Sequence, residues 1–359
     1  MVEPTRRRRR LALLRVIVVA ELVVAMVTAA GVVFAYQHID QQIVSGEPIH
    51  HQVERRTPAL PSGATNILLL GTDSRSCRGC HIDNEAGVGG SDTTILLHVE
   101  NGRRAAYGIS IPRDTLVDRP RCTNGDHHVP AAHDVMWNEA YAVGGPECTV
   151  EQVEAVTGIY VDSYITVDFG GFKNMVDAIH GVQVCIPKPV DDPVAHIHFD
   201  AGTQTLDGAD ALKYVRERHS TANSDYGRMK RQQAFIASML NKVKSAGTLS
   251  RPDRLYQFAN ALAGSIQTSP DLASAAKLVK LASSMSGINL KNVKFVTAPT
   301  TDFPPGSPNW GRLQLTPEAH QLWQKVIHDQ PLGKLGKDAI TAKHPHGSKA
   351  IAAANGLCG

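Results

Sequence analysis

Hydrophobic positions near the N-terminus form one unbroken run. Residues 16–36 carry a single charge, Glu21, and follow consecutive arginines at 6–10. As a helix, this run would extend roughly 30 Å, the hydrocarbon thickness of a bilayer. Arginines on its N-terminal side predict a cytoplasmic N-terminus, with the chain outside the cell membrane after Tyr36. A cleaved signal peptide with a small-residue site at 28–30 is the alternative, but the apolar run continues past that site, which favours a retained single-pass anchor.

Short apolar runs alternate with helix-like segments over the rest of the chain. The runs typical of buried strands are 66–71, 93–99, 105–111, 164–169, 182–186 and 293–297. Helical patterns occupy 149–157, 170–180, 207–218, 226–244, 252–263, 270–285 and 316–328. This mixture predicts an α/β fold, an α/β/α sandwich with a central mixed sheet, preceded by one transmembrane helix.

These patterns divide the chain into six segments. In chain order we expect a basic cytoplasmic tail (1–15), a membrane helix (16–36) and a polar linker punctuated by prolines (37–62). The principal domain (63–245), a helical extension of that domain (246–330) and a flexible tail rich in Gly, Lys and His (331–359) follow.

Charge and composition argue against a nucleic-acid-binding protein and against a mainly disordered chain. The 37 Lys+Arg and 34 Asp+Glu residues give a net charge of +3. Residues 1–36 contribute +4, from six Arg and two Glu, so the remainder carries −1. A nucleic-acid binder normally has a basic surface on its folded part, so nucleic acid is not expected as a partner. An apolar fraction of 42% excludes disorder as the main state.

The densest polar segment lies at 214–231. Arg216 and Arg218 are two residues apart and share a face if the chain is extended there, whereas Arg228, Arg231 and Gln232 lie at i, i+3 and i+4 and share a helix face. Arginine presents a planar fork of donors that suits phosphate oxygens, and a helix start adds backbone N–H groups. The segment is therefore a candidate anion clamp, with a solvated basic helix end as the alternative.

A second polar cluster lies at the ends of predicted strands. Asp73 and Arg75 follow the first strand, Asp92 precedes the second, and Pro-Arg-Asp at 112–114 follows the third. Carboxylates there could jointly bind Mg²⁺, which takes one or two carboxylates plus phosphate oxygens; turn-capping aspartates are the alternative. A metal and arginines without a Ser–His–Asp or Cys–His arrangement indicate phosphoryl chemistry.

The six cysteines all lie beyond the predicted anchor, where disulfides are expected, and six allow fifteen pairings. Residues 77–81 spell C-x-x-C-H, a pattern also found at c-type haem attachment sites, and zinc could recruit His127, His128 or His133. A disulfide is favoured over both, because the motif stands in a loop beside the candidate phosphate site with no other haem context.

Six motifs in order resemble the LytR-CpsA-Psr family of bacterial envelope phosphotransferases. They are NILLLGTDSR (66–75), SDTT (91–94), ISIPRD (109–114), NEAYAVGG (138–145), DGADALKYVRERH (207–219) and DYGRMKRQQ (225–233). The resemblance covers 66–243, about half of the chain. It implies an ectodomain of α/β/α architecture outside the membrane, anchored by one N-terminal helix.

The resemblance also implies an activity. Members of the family transfer a glycopolymer from a polyprenyl-diphosphate carrier to peptidoglycan with formation of a phosphodiester, which implies Mg²⁺, with Mn²⁺ as a possible substitute. The implied partners are the carrier-linked glycopolymer, peptidoglycan and the membrane. The alternatives are a polyprenyl-diphosphate pyrophosphatase, in which water replaces the acceptor hydroxyl, and a non-catalytic lipid-binding or regulatory envelope protein.

Site residues follow from the resemblance motif by motif. The implied metal carboxylates are Asp73 and Asp92. The implied catalytic arginines, which would grip the diphosphate, are Arg113, Arg216, Arg218 and Arg228. The implied substrate-binding helpers are Arg75, Asp225 and Gln232, while Asp114 is expected to orient its neighbours.

Two further features qualify the resemblance. The family usually has an arginine two residues before the aspartate of the SDT motif, but this chain has Gly90, so Arg78 or Arg103 would have to supply the missing donor. The family places the prenyl tail in an apolar tunnel. Leu212, Phe235 and Met239 could line it, although their helical spacing also fits a core.

Overall fold

The computed structural model describes residues 4–53, 63–72, 90–125, 127–193, 197–217, 224–245, 251–337, 339–346, 352 and 357–358. The helices are α1 (Pro4–Asp40), α2 (Glu139–Thr157), α3 (Phe169–Ala178), α4 (Gly208–Arg216), α5 (Ser224–Ser245), α6 (Pro252–Ala263), α7 (Ala275–Met285) and α8 (Pro317–Ile327). The strands are β1 (Val44–Ser45), β2 (Thr65–Thr72), β3 (Ser91–Val99), β4 (Ala106–Ile111), β5 (Leu116–Arg119), β6 (Cys122–Asn124), β7 (His127–Val129), β8 (Ala132–Met136), β9 (Ser163–Asp168), β10 (Val182–Ile186), β11 (Val190–Asp192), β12 (Ile197–Phe199), β13 (Gly202–Leu206), β14 (Ile266–Thr268), β15 (Val293–Thr297), β16 (Thr300–Asp302), β17 (Leu313–Leu315) and β18 (Ile340–Thr341).

The central sheet has the strand order β1-β14-β9-β2-β3-β4-β15-β18. Strands β2 and β9 are parallel, as are β4 and β15, whereas β3 is antiparallel to both β2 and β4. The ends of β2, β4, β9 and β15 therefore meet the start of β3 along one border of the sheet, which we call the upper edge. This mixed sheet confirms the predicted fold class.

Helices cover both faces of the sheet. Neighbouring residues on a strand point to opposite faces. On β15, Val296 packs in a cluster with residues of α2 and α8, while Phe295 packs with Ala234 and Ala237 of α5. Gly108 on β4 is required by this packing, because a Cβ there would lie 2.6 Å from the Phe295 ring. The result is an α/β/α sandwich whose central strands are buried on both sides.

A smaller apolar cluster lies between α3, α4, α5 and the β10–β13 hairpin. Leu212 and Phe235, two of the residues considered for a prenyl tunnel, are fully buried in it, and Met239 packs at its margin. The strand predicted at 182–186 forms, but it pairs with β13 and not with the central sheet. These three side chains thus act as core residues.

Helix α2 begins at Glu139, ten residues before the helix predicted at 149–157. Its first part contains two glycines and a proline, which weaken any sequence signal for helix. Gly145 has a φ of 69°, and the helix kinks there, just before Pro146. The NEAYAVGG motif is therefore helical.

The C-terminal third differs from the predicted organisation. Segment 246–330 contributes β14 and β15 to the central sheet, so it is part of the sandwich rather than an added helical extension. The tail predicted to be flexible also joins the fold, since Ile340 of β18 pairs with Phe295 of β15. Its end is fixed by a disulfide between Cys185 and Cys358.

A second disulfide joins Cys122 to Cys148, with Cα atoms 5.0 Å apart. These two bridges agree with the expectation of disulfides beyond the anchor. The C-x-x-C-H motif at 77–81 lies outside the described residues. Within the part of the chain that the structure describes, no group of three or more His, Cys, Asp or Glu side chains is arranged to hold a metal ion.

Helix α1 contains one stretch, Ala12–Asp40, that is long and apolar enough to cross a membrane. This fits anchoring by a single span. The predicted linker is more closely packed than a stalk: Asp40 accepts a 2.6 Å hydrogen bond from the Ala275 backbone, and β1 pairs with β14. We call residues 41–53 the juxtamembrane segment.

Three buried glutamates of α2 hold the juxtamembrane segment. Glu147, Glu151 and Glu154 lie on one helix face. Glu154 accepts a 2.7 Å hydrogen bond from the Gln52 backbone, Glu151 accepts one from the Gln52 side chain, and Glu147 accepts one from the Glu47 backbone. The segment is therefore fixed by backbone contacts as well as by side chains.

Burial gives this contact a dependence on pH. Desolvation raises the pKa of Glu147, although the Tyr164 hydroxyl donates to it at 2.8 Å. The folded state then binds this proton more tightly than the unfolded state, so the stabilisation is present at low pH and is lost as pH rises through the folded pKa. We expect Glu147→Gln to flatten the decline of Tm as pH rises above the ordinary range of glutamate carboxyls. Burial also raises the pKa of Glu151, so a residual slope remains.

The matched control is Asp200→Asn, which removes an exposed carboxylate from a turn. Thermal unfolding followed by circular dichroism over the pH series would measure the slope for each variant. A slope in Glu147→Gln equal to that of the parent would contradict the prediction.

Candidate functional site

The polar residues of the first strands converge at the upper edge of the sheet. Asp92 is the second residue of β3, and Arg113 follows the end of β4 by two residues. The register pairs Thr94 with Ile111, which brings the two side chains next to each other. Arg113 Nη1 donates a 2.7 Å hydrogen bond to Asp92 Oδ1. In open α/β sheets, ligands bind outside this type of edge.

Asp114 supports Arg113 from the other side. Its Oδ2 lies 3.4 Å from Arg113 Nε, and its Oδ1 lies 3.6 Å from Nη1 of Arg312. All of these side chains are partly exposed, so the ion pairs contribute little to stability. These ion pairs orient a side chain. Asp92 and Asp114 hold the Arg113 guanidinium at the edge of the sheet, which agrees with the expectation that Asp114 orients its neighbours.

Arg216 reaches the same edge from α4, of which it is the last residue. Its guanidinium carbon lies 4.6 Å from the centre of the Phe169 ring, a cation–π contact. Phe169 directly follows β9, whose end belongs to the upper edge. Arg216 is helical and not in the extended segment that its spacing with Arg218 suggested.

Arg228 lies in the second turn of α5 and is 3% exposed. The start of this helix is fixed against the upper edge. Gln233 donates hydrogen bonds to the hydroxyls of Ser110 and Thr297, near the ends of β4 and β15. The Tyr226 hydroxyl contacts that of Thr300 at 2.6 Å, and burial raises the pKa of Tyr226, which keeps it a neutral hydroxyl.

An ion pair that sequence reasoning did not assign connects these arginines. Arg231 Nη2 lies 3.0 Å from Glu217 Oε2 and also donates to the Glu217 carbonyl, and both side chains are 3% exposed. Burial lowers the pKa of Arg231, and the carboxylate opposes that effect. The pair fixes the chain after Arg216 to α5. Its sequence signal was the position of Arg231 one turn from Arg228.

Of the remaining residues assigned from the sequence, Gln232 and Asp225 lie in described segments. Gln232 donates to the Val215 carbonyl at 3.2 Å, which ties the last turn of α4 to α5. Asp225 lies in the first turn of α5, and nothing further is described of its side chain. The other assigned residues lie outside the described ranges; they are Asp73, Arg75 and Arg218.

Gly90 has little around it in the part of the chain that the structure describes. Among the described residues, a Cβ built on it would have Asn138 Nδ2 as its only neighbour within 4 Å, at 3.8 Å. Arg103, one candidate for the missing donor, lies in the turn between β3 and β4 and donates to Thr65. That turn is at the opposite end of β3, roughly 30 Å away, so Arg103 as a substitute donor is wrong. Arg78 lies in a stretch that is not described.

A metal site at the upper edge would have to be formed by the oxygen donors that the structure describes there. Asp92 offers a half-buried carboxylate at the edge, beside an arginine suited to phosphate. Mg²⁺ is commonly bound by one or two carboxylates together with substrate phosphate oxygens. Asp92 fits that pattern as one ligand.

The fold and the site together define an α/β domain that follows a helix long and apolar enough to cross a membrane, with Arg113 and Arg216 along the upper edge of its sheet. The chain belongs to the LytR_cpsA_psr family, whose family model matches residues 32–324. This confirms the resemblance inferred from the six motifs.

Relatives and solved structures agree with this assignment. The chain is 34% identical over 310 residues to the cell wall biosynthesis protein LcpA of Corynebacterium glutamicum, covering 78% of this chain and 59% of that protein. It is 30% identical over 270 residues to the polyisoprenyl-teichoic acid–peptidoglycan teichoic acid transferase TagT of Bacillus subtilis, covering 70% and 78%. The crystal structure of B. subtilis TagV matches with a TM-score of 0.58 and 26% identity, over 75% and 98% of the chains. The chain thus spans less than two thirds of the length of LcpA.

Proposed function

We propose that this protein is a phosphotransferase that moves an anionic or secondary cell-wall glycopolymer from a polyprenyl-diphosphate carrier to peptidoglycan. The observation that carries the proposal is the position of Arg113 and Arg216 along the edge where Asp92 lies, with Arg228 in the second turn of α5, the helix that packs on the ends of β4 and β15. A cluster of arginines with one carboxylate suits a diphosphate and a divalent cation. The names of two relatives, a cell wall biosynthesis protein and a teichoic acid transferase, support the same activity.

The proposed reaction is an in-line displacement at phosphorus. A hydroxyl of peptidoglycan attacks the phosphorus that carries the sugar, the P–O–P bond breaks, and polyprenyl phosphate leaves while the hydroxyl proton passes to solvent or to the departing phosphate. Arg113, held by Asp92, donates to the phosphate oxygens, and Arg216 and Arg228 stabilise the charge that develops on the leaving group. Mg²⁺ or Mn²⁺ bound beside Asp92 would neutralise further phosphate charge.

The position of the anchor supports a substrate at the membrane surface. Val44 of β1 pairs with Gln267, which pairs with Thr166, two residues before the end of β9. The anchoring helix therefore ends close to the upper edge of the sheet. The proposal places the N-terminus in the cytoplasm and the domain outside the cell, with the site near the lipid headgroups.

The test is turnover of a saccharide-linked polyprenyl diphosphate by the full chain in detergent, with and without Mg²⁺ and peptidoglycan acceptor. We expect polymer-linked peptidoglycan and polyprenyl phosphate only when all components are present. Asp92→Asn is expected to raise the Mg²⁺ concentration needed for half-maximal rate by tenfold or more, about 1.4 kcal/mol. Release of inorganic phosphate without acceptor would indicate a pyrophosphatase instead. Lipid binding without turnover would indicate a non-catalytic protein.

Gly90 allows the missing arginine to be supplied. Because no described backbone atom lies within 4 Å of a Cβ at this position, Gly90→Arg is expected to tighten binding of inorganic pyrophosphate about tenfold through one charge-assisted hydrogen bond. Isothermal titration calorimetry would measure the Kd. Gly287→Arg is the matched control, since it adds the same charge at a position with no atom within 4 Å. Equal effects of the two substitutions would show that only net charge had changed.

A further inference from the structure

An open groove of about 560 Å³ adjoins the arginine site. Its floor is formed by the β5–β8 hairpin, with Leu116, Asp134 and Met136, and by Glu139 at the start of α2. Its wall is the loop between β16 and β17, with Trp310 and Arg312. Pockets for small organic ligands typically have volumes of ~300–1,000 Å³ and combine apolar faces with a few polar groups.

Trp310 is the notable wall residue. Its side chain is 69% exposed, whereas Trp137 and Trp323 are 0% and 2% exposed in the core. The loop that carries it is closed by a hydrogen bond from Phe303 N–H to the Arg312 carbonyl, and Trp310 N–H donates to Ser307 at 3.0 Å. Hydrogen bonds and three prolines therefore restrict the loop, so the indole is presented on an ordered backbone.

The groove is coupled to the phosphate-binding arginine. Arg312 lies 3.6 Å from Asp114, which contacts Arg113 at 3.4 Å. The Leu313 N–H donates to the Asp114 carbonyl at 3.1 Å, which joins the loop to the chain after β4. A molecule that contacts Arg312 in the groove would therefore be connected to Arg113 through two ion pairs that share Asp114.

We propose that this groove binds the glycan strand of peptidoglycan, the acceptor of the reaction, with Trp310 as the stacking platform. This inference rests on the proposed function. A sugar ring has an apolar C–H face that packs against an aromatic ring, and hydroxyl and amide groups at its rim that bond to carboxylates and arginine. Asp134, Glu139 and Arg312 supply such partners around the indole.

Charge and position favour the acceptor over the donor polymer. Arg119 pairs with Glu139 at 2.8 Å, and Asp134 and Arg312 carry opposite charges, so the groove has no excess of positive charge to attract an anionic glycopolymer and suits an uncharged sugar backbone. The sheet order places β1 and β14, where the anchor ends, on one side of β9, and places β4 and β15 on the other. The groove lies on the β4 side, away from the anchor, where a cell-wall strand would approach.

The experiment measures binding of peptide-free glycan strands, prepared from peptidoglycan, to the full chain in detergent. Quenching of indole fluorescence by acrylamide reports Trp310, because the other two tryptophans are buried. We expect the glycan to protect Trp310 from quenching, Trp310→Ala to weaken glycan binding about tenfold, and Trp310→Phe to retain most of it. Tyr256→Ala, which removes a half-exposed aromatic side chain from α6, is the matched control and should bind as the parent does.

Binding of inorganic pyrophosphate separates this inference from the proposed function. Trp310→Ala should bind pyrophosphate like the parent, whereas Arg113→Ala should not. Failure of the parent to bind pyrophosphate would count against the arginine site and leave the glycan result to be judged separately. The inference is overturned if glycan binds Trp310→Ala as tightly as the parent, or if an anionic glycopolymer protects Trp310 and the glycan does not.

Discussion

Replacing Arg113 by alanine is expected to lower kcat/KM for glycopolymer transfer by about a thousandfold. The guanidinium is held by Asp92 at 2.7 Å and by Asp114, so it is already oriented before the substrate arrives. Removing it deletes a bidentate phosphate donor and leaves two carboxylates facing the diphosphate, which adds repulsion to the lost attraction.

Two further variants show whether the loss of rate comes from the planar guanidinium of Arg113 or from the loss of a positive charge. Arg113→Lys keeps the charge but loses the planar fork, so we expect an intermediate loss. Arg104→Ala removes an exposed arginine from the turn at the opposite end of the same strand pair and should leave the rate unchanged. Initial rates over a range of carrier concentrations would give kcat and KM. A loss of less than about threefold in Arg113→Ala would contradict its assignment as a catalytic residue.

Replacing Arg231 by alanine is expected to lower the free energy of unfolding by about 3–5 kcal/mol. The substitution would remove a buried ionic partner of Glu217, which is 3% exposed, and a donor to the Glu217 carbonyl. The same change releases the chain between Arg216 and Arg228, so we also expect a weaker affinity for pyrophosphate in the protein that remains folded.

The measurement is denaturant unfolding of the full chain followed by circular dichroism. Arg251→Ala is the matched control, because Arg251 pairs with Asp253 at 3.1 Å on the surface and such a pair contributes below about 1 kcal/mol. The double variant Arg231→Met, Glu217→Gln should recover part of the lost stability, since it removes both buried charges. Equal destabilisation by Arg231→Ala and Arg251→Ala would argue against a buried ion pair.

Local patterns predicted most of the elements that have their own sequence signal. The hairpin of β3 and β4 was expected from two apolar runs, and its geometry explains why Asp92 and Arg113 meet. The start of α2 was missed because its glycines and proline oppose helix propensity, and tertiary packing overrides that preference. Strands β14 and β18 are three and two residues long, which is too short for alternating apolar residues to indicate a strand.

The site was predicted unevenly for a related reason. Arginines within motifs could be assigned one by one, but the contact between Arg231 and Glu217 joins residues 14 positions apart in the chain. Likewise, Arg103 is near Gly90 in sequence but lies at the far end of β3, since the strand carries it away from the site. Sequence distance is a poor guide wherever a strand intervenes, because each residue advances the chain by about 3.3 Å.

The attachment of the anchor has a consequence for how the protein finds its carrier. Three residues separate Asp40, the end of α1, from Val44, the start of β1, and they span at most roughly 14 Å. Under the proposed anchoring, the domain therefore samples only a thin layer above the bilayer. Encounter becomes a search in two dimensions, and the rate should follow the number of carrier molecules per unit area of membrane rather than their concentration per unit volume.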